Sequence, residues 1–471
     1  MEKNIANKNC CSLRSFLFFL LPALIITACN PIKYVPLNET LLDEVNVSIN
    51  KEGIKKADLM PYIKQKPNKR IFGTKFHLGL YNLSNIEKER WPHGWLREIG
   101  EAPVIFDPYS TDKSIEEMQS YIASKGYFDS RVMETIETSN RKSKVYYSVD
   151  LKSPYMIRNL YYEFADTTIE QFFYFDSVNC LIERGKPYDV DVLQAERSRF
   201  ERFIKDRGFY GFSSDHIYFR VDSTPGDRQV NIYYGVRKFT KIDEGGRVTQ
   251  VPHSIYRIRN VYIFPDFVPR DVLEGGEEYL KNMDTTVVAG YSFISPGGKP
   301  PIKPDLIVQS LYMRPGSAFN VTNTELTQSH LLSLKTYRLV NIFYTEVTDH
   351  EANQAQELTL DCNIQLTLLD QQSFKVELEG TNSAGNLGGA LNLIYQHKNL
   401  FHGAELFNLK LAGAYEALTQ QDTSGSIQEY GIETSLRFPK FLLPFIKTEG
   451  FIKKYNPTTT LLAAYNYQSM P

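Results

Sequence analysis

The sequence predicts an α+β chain in which a strand–helix–helix–strand–strand module repeats and is followed by an antiparallel β region. Three observations carry this. The block Tyr155–Tyr161 recurs at Tyr256–Tyr262. A second pair of matched blocks follows the two copies in the same order. From about Ser373 onward helical periodicity disappears and strict alternation replaces it.

The first shared pattern is Y-x-I-R-N-(L/V)-Y, whose alternation suits a half-buried strand. The second pairs Gly185–Asp191 with Gly316–Thr322 and opens a helix in both copies. Asp191 with Gln194, and Thr322 with Glu325, have the spacing of a capping box. The helix after Asp191 sets Leu193, Phe200, Phe203 and Ile204 on one face and ends at Arg207-Gly208, where the glycine fits a left-handed position past the helix end. An earlier copy opens at Pro108–Thr111, carries Ile115, Met118 and Ile122 on one face and stops at Lys125–Phe128. Two alternating strands follow each helix: Arg131–Glu137 and Lys144–Asp150, then His216–Asp222 and Gln229–Val236, then Val340–Val347 and Glu357–Leu368. The expected modules are 40–152, 153–240 and 253–370, the first with an insertion at Gln65–Asp107.

Residues 1–28 read as a secretory leader. Lys3, Lys8 and Arg14 precede the apolar run Phe16–Ile26, which is too short to span a bilayer. The run ends at Ile26-Thr27-Ala28-Cys29, and small residues before a cysteine resemble a bacterial lipobox. By that resemblance Cys29 is the lipidation site, residues 29–39 are anchor and linker, and Asn30 after the cysteine favours the outer membrane. Cleavage removes three basic residues and one acidic residue from a net −2, leaving −4. A nearly balanced charge gives no electrostatic case for a nucleic-acid partner. Cys180 and Cys362, remote from each other and from any CxxC or histidine pair, argue against a disulfide framework or zinc site.

In residues 371–471 the strands are Phe374–Leu378, Leu387–Tyr395, Phe407–Leu411, Tyr430–Phe438 and Thr459–Tyr467, among about six in all. Apolar side chains point one way and Lys, Glu, Asn and Arg the other. A transmembrane barrel and a soluble sandwich both show this alternation.

Family resemblance separates them. The module order, with GYF-like residues after the second helix, resembles the POTRA domain. Gly380–Gly389 followed by Tyr395–Glu405 resembles the opening barrel hairpins of BamA/TamA-type proteins, where H-(K/R)-N-L-F-x-G links early strands. Phe438–Phe445, Gln65–Asn68 and Gly100–Val104 also resemble family segments. The closest branch is the lipid-anchored TamA-like one (TamL). The resemblance implies POTRA-like repeats leading into an antiparallel transmembrane β-barrel, of which only N-terminal strands are present; the expectation is a chain truncated within the barrel.

It further implies a lipid-anchored protein of the Gram-negative outer membrane with its repeats in the periplasm. Its partners would be membrane lipid, unfolded outer-membrane or secreted clients, and a TamB-like protein spanning the periplasm. The modules would receive clients and the barrel would open laterally beside its first strand, with Phe374, Val376, Leu378 and Gly380 as the gate strand. Alternatives are a two-partner-secretion-like transporter and a surface lipoprotein that binds through a β-sandwich.

No enzyme chemistry is expected, and neither a cofactor nor a catalytic residue is assigned. GxSxG, GxxxxGK(S/T) and HExxH are all absent. His397 and His402 flank a strand turn and do not suit a metal. Arg207-Gly208-Phe209 ends a repeat helix and carries no barrel-loop role. Gly385–Gly389 reads as a hairpin turn between strands, and Trp91–Trp95 as a packed part of the insertion, with an aromatic binding patch as the alternative.

Overall fold

The computed structural model describes residues 30–470, apart from 72, 243–244, 271–273, 275–282, 348–357, 384–385, 421–422, 443–450, 452 and 454. The leader and Cys29 therefore lie outside the described residues. The chain divides into two compact units: Met1–Glu163 with Asn179–Glu196 and Phe219–Gly235, and Phe164–Val178 with Arg197–Tyr218 and Val236–Pro471.

In the first unit, β1 (Leu41–Ile49), β2 (Arg131–Ser139) and β3 (Lys142–Asp150) form a sheet of order β1-β3-β2. β1 runs parallel to β3 and β2 antiparallel to it. Parallel neighbours need a long crossover. It is supplied by a single turn at Lys56–Leu59, then α1 (Phe76–Leu83), α2 (His93–Ile99) and α3 (Pro108–Ser124). α3 starts where it does because the Asp107 carboxylate accepts the Tyr109 and Ser110 N–H groups, both at 3.1 Å, with Pro108 inside the first turn. Its face Thr111, Ser114, Met118 and Ile122 is buried. Met118 and Ile122 meet Val145, Tyr147 and Val149, alternate residues of β3, in one core with Leu42 and Leu59. Each such apolar side chain contributes roughly 1.5–3 kcal/mol by burial.

The next sheet repeats the order with β4 (Met156–Phe164), β5 (Ile217–Asp222) and β6 (Gln229–Val236) as β4-β6-β5. Between β4 and β5 the chain forms α4 (Thr167–Asp176) and α5 (Val190–Lys205). β7 (Phe239–Ile242) and β8 (Val248–Val251) form a hairpin where the sequence left only a gap between modules.

In the second unit the third sheet departs from the plain module. It has five strands, ordered β10 (Met283–Val288), β11 (Tyr291–Pro296), β9 (Tyr256–Phe264), β13 (Leu358–Leu368) and β12 (Tyr337–Val347). β9, β13 and β12 reproduce the repeat, β9 being parallel and β12 antiparallel to β13. The extra hairpin β10–β11 lies on the outer side of β9. Ala289 (φ +53°) and Gly290 (φ +84°) make its two-residue turn, the geometry that matches strand twist. Phe293, Ile258, Ile263, Ile364 and Leu366 fill the core together with Ile307, from α6 (Pro304–Gln309), and Leu331, from α7 (Val321–Ser333).

Both helices are capped two residues before the expected capping boxes. α5 is capped by Asp189, whose side chain accepts the Asp191 N–H at 2.9 Å, and α7 by Asn320, which accepts the Asn323 N–H at 2.7 Å. These residues stand two before Asp191 and Thr322, because Val190 and Val321 are already helical. Gly208 does take a positive φ (+102°), three residues past Lys205.

The last sheet is antiparallel and ordered β14 (Gln372–Ser383), β15 (Asn386–Lys398), β16 (Leu406–Gln420), β17 (Thr423–Phe438) and β18 (Thr459–Ser469). Five strands are described where about six were expected, and among the described residues the sheet does not close on itself. Gly388 and Gly389 are inside β15 and not in the turn, since Ser383 pairs with Asn386. Cβ on Gly388 would lie 2.8 Å from the Tyr415 carbonyl oxygen, so a close backbone approach requires that glycine.

Candidate functional site: the terminal sheet, its free edge and its mooring

Register places the predicted gate residues at the head of continuous cross-strand rows. Val376 stands opposite Leu393, then Leu411, Ile432 and Tyr465. Leu378 leads Leu391, Gly413, Tyr430 and Tyr467; Phe374 leads Tyr395, Leu409, Thr434 and Ala463. Phe374 and Tyr395 pack ring to ring at 4.9 Å. This face is uncovered: Phe374 is 78%, Val376 63% and Leu378 80% exposed.

The alternate residues make the opposite face polar. Lys375 pairs with Glu377. Gln396 donates to Asn408 at 2.8 Å, and Asn408 to Ser435 at 3.2 Å, a hydrogen-bonded row across three strands. Strands of 11 to 16 residues with one exposed apolar face and one polar face are long enough to cross a hydrocarbon layer. β14 pairs only with β15 among the described strands, leaving its outer side open. Gly380 faces Gly389 across that pair, and a Cβ there would have no neighbour within 4 Å. Phe374, Val376, Leu378 and Gly380 thus share one edge strand, with the three apolar ones on one face. β2, β5 and β12 likewise end their sheets. Such open edges can accept a further strand by main-chain hydrogen bonding.

The turn between β15 and β16 is moored to the third sheet's unit. Asn399 donates from its side chain to the Pro301 carbonyl at 2.9 Å and accepts the Ala404 N–H at 3.0 Å. Lys303 N–H donates to the His402 carbonyl at 2.9 Å. The buried Glu405 carboxylate accepts Phe401 N–H (3.0 Å) and Gly403 N–H (2.9 Å), closing the turn from inside. Asn399, His402 and Ala404 all take positive φ, and a Cβ on Gly403 would collide with Glu405. The loop after β17 adds a contact from Asn456 to Ser333 at 2.6 Å. In the sequence this turn stands out only by its family likeness. The signal for mooring was its density of Asn, His and Gly beside one acidic residue able to satisfy several N–H groups.

The two matched sequence blocks bond to each other, and the joint repeats. Gly126 (φ +86°) accepts the Tyr155 N–H at 2.8 Å; Gly208 accepts the Tyr256 N–H at 2.8 Å. Tyr188 N–H donates to Tyr155 O (2.8 Å), and Phe319 N–H to Tyr256 O (2.9 Å). Phe128 packs against Tyr155 and Tyr188 at 5.0 and 5.4 Å; Tyr210 packs against Tyr256 and Phe319 at 5.7 and 5.1 Å. At the first joint, burial disfavours the charge on Lys125, but Asp191 (2.6 Å) and Asp189 (3.0 Å) more than offset it and hold its pKa above the usual lysine value. At the second, Asp206 accepts the Thr322 N–H at 2.9 Å.

His253 is buried beside the second joint. Its backbone N–H donates to Asp166 at 2.6 Å, and its Nδ1 lies 3.1 Å from the same oxygen. Burial pushes the His253 pKa down, outweighing the pull of Asp166, and the His216 ring, 4.7 Å away, pushes it the same way. Burial also pushes the Cys362 thiol up to about 12, an inert core group. Among the described residues no cluster of three or more His, Cys, Asp or Glu side chains could hold a metal ion, and no helix is long and apolar enough to cross a membrane, which says nothing of a β-barrel.

The tryptophan pair departs from the packed alternative. Trp91 is 82% and Trp95 52% exposed, so the insertion does not pack them. The reason is local: α1 and α2 are closed against each other by main-chain contacts, and among the described residues nothing covers the side chains on their outer faces. Glu101 N–H donates to His77 O at 3.0 Å, and a Cβ on Gly100 would lie 2.7 Å from the Tyr81 nitrogen.

No protein-family description and no curated protein matches the chain. Solved structures similar to it include POTRA domains 3–5 of BamA from Haemophilus influenzae, at 10% identity and TM-score 0.32 over 71% of this chain and 99% of that one. BamA from Haemophilus ducreyi lacking POTRA domains 1–3 is similar at 12% identity and TM-score 0.33, over 67% of this chain and 52% of that one. CdiB from Acinetobacter baumannii is similar at 8% identity and TM-score 0.25, over 100% of this chain and 64% of that one.

Proposed function

We propose that the chain works at the outer membrane in protein assembly or translocation. In this reading the repeats receive unfolded β clients along β2, β5 and β12 by strand addition, and pass them to β14, the gate strand of a membrane-embedded sheet. Sequence-tolerant main-chain bonding suits clients that share only a β pattern. Cys29 carries the acyl anchor, and the first repeat meets a periplasm-spanning partner of the TamB kind.

The observation that carries the proposal is the uncovered apolar face of the terminal sheet, running in register from Phe374, Val376 and Leu378 to Ala463, Tyr465 and Tyr467. A soluble sandwich buries that face, so this supports the membrane reading over the surface-binding one. The test is a photo-crosslinker at Val376 in the full-length protein, with heat-modifiable gel mobility as the index of a folded membrane sheet. Capture of nascent outer-membrane proteins by a heat-modifiable species is expected. A protein whose mobility ignores boiling and which leaves the membrane without detergent refutes the reading.

A further inference from the structure

We propose that the α1–α2 insertion of the first repeat is a membrane-surface face that lays its two tryptophans into the lipid interface beside the acyl anchor. The argument begins with what the insertion leaves uncovered. Trp95 and Ile99 are one turn apart on α2 and share a side, as do Phe76 and Leu83, two turns apart on α1. Ile86 and Trp91 lie on the connecting loop, and all six are exposed. Arg97 holds that loop from below, donating to the carbonyls of Asn85 (2.7 Å) and Lys88 (2.9 Å), so the face is a fixed shape.

The second observation is where the chain enters. Asn30, the first described residue, has its carbonyl bonded to the Asn82 side chain at 2.9 Å. Lys33 donates to Asn82 O at 2.6 Å, Tyr34 donates to Ser84 O, and Val35 shares a core with Leu78. The residue after Cys29 is thus stapled to the end of α1, from which the tryptophan loop departs. An acyl chain on Cys29 would place the membrane surface at this end of the insertion. Tryptophan, with an apolar body and a polar N–H, is enriched at that interface. The charges on the loop, Glu87, Lys88, Glu89 and Arg90, cancel, which suits a face bound by its apolar area.

The neck of the insertion is equally fixed. Asn68 bonds Ala102 O (2.7 Å) and Val104 N–H (3.1 Å), joining the two segments singled out by family likeness. The anchor and the face would together hold the first repeat at a set height and tilt under the membrane.

This inference rests on the lipid-anchor reading, and one experiment separates them. The chain has 2 Trp, both on this face, so intrinsic emission reports it alone. The chain itself is reconstituted in phosphatidylethanolamine/phosphatidylglycerol vesicles, with and without bromines on the acyl chains, and acylation is followed by labelled palmitate with Cys29→Ala as control. Expected are a blue-shifted emission, loss of that emission in brominated lipid and protection from aqueous iodide. Emission open to iodide and blind to bromine overturns the proposal. So does protection from both quenchers, which would mean a protein covers the face. Palmitate at Cys29 with water-exposed tryptophans leaves the anchor standing and the face refuted; bromine quenching without palmitate does the reverse.

Discussion

The third and the terminal sheets are built from the same alternation and wrap it in opposite directions. In β9, β11 and β13 alternating residues enter a core, with one break in β9 between Ile258 and Val261: Ile258, Phe293, Ile364 and Leu366 are fully or almost fully buried. In β14 to β18 the corresponding apolar residues are the exposed ones, and the polar partners Gln396, Asn408 and Ser435 bond to each other. Period 2 fixes which residues share a face and says nothing about which face is the solvent's. What distinguishes the two is helices. α6 and α7 pack on the third sheet, and no described helix covers the apolar rows of the terminal one.

That contrast can be broken by substitution. Phe293→Ala should have the largest effect, about 3–5 kcal/mol, because it opens a cavity in a closed core. Lost hydrogen-exchange protection in β9, β11 and β13 would register it. Ile432→Arg should cost about 2–4 kcal/mol in a bilayer if it lies near the midplane, and within about 0.5 kcal/mol if water covers that face. The urea midpoint of vesicle-embedded protein decides between the two. Glu433→Gln, on the polar face, should stay near wild type in the same assay.

Smaller effects sharpen the comparison at the joints. Gly208→Ala forces a side chain into a left-handed backbone and against Ile255, at 2.6 Å, so a loss of about 1–3 kcal/mol is expected. Gly316→Ala, also at positive φ (+81°) but with no atom within 4 Å, should cost about 1 kcal/mol. Limited proteolysis after residue 206 would rank the pair. Asn399→Ala strands the Pro301 carbonyl and the Ala404 N–H, for about 1–3 kcal/mol, read as faster amide exchange at Ala404.

The mildest effect expected is of pH. His216 and His253 are both held below the ordinary histidine value, chiefly by burial. The folded state therefore binds fewer protons than the unfolded one. Their contribution is complete above about pH 6.5 and is lost as pH falls through the depressed folded values. Amide protection near 212–216 and 251–256 should weaken on acidification, and His253→Gln should flatten that response. Asp166, held low by its bonds to His253 and Thr168 against the opposing effect of burial, adds a loss only at more acid pH.

Much of the repeat architecture was legible because its signals are local: helix faces such as Met118 and Ile122, glycines after helices and alternating strands. That Phe374, Val376 and Leu378 share one face of one strand was legible from their alternation. What escaped was partly local and partly dependent on contacts distant in sequence. Asp189 and Asn320 cap two residues earlier than expected, since a capping pattern tolerates several registers until the backbone selects one. The hairpin at Ala289-Gly290 was overlooked although its turn is written in the sequence. The mooring of Asn399 on Pro301 joins residues 98 apart and has no periodic signature. Trp91 and Trp95 were assigned to packing because large aromatics usually find cover, and α1–α2 offers none.

The joints have a consequence for how such a chain can be inherited. The strand that opens one repeat is fastened to the glycine that follows the last helix of the previous one, ahead of that repeat's two final strands: Tyr155 to Gly126, Tyr256 to Gly208. The folding unit runs from first strand to last, whereas the self-sufficient segment of sequence runs from glycine to glycine. A duplication or exchange cut between β3 and β4 would part the donor from its acceptor. One cut just before Gly126 and just before Gly208 would carry each fastening whole, so repeats could be multiplied or traded without inventing a new hinge.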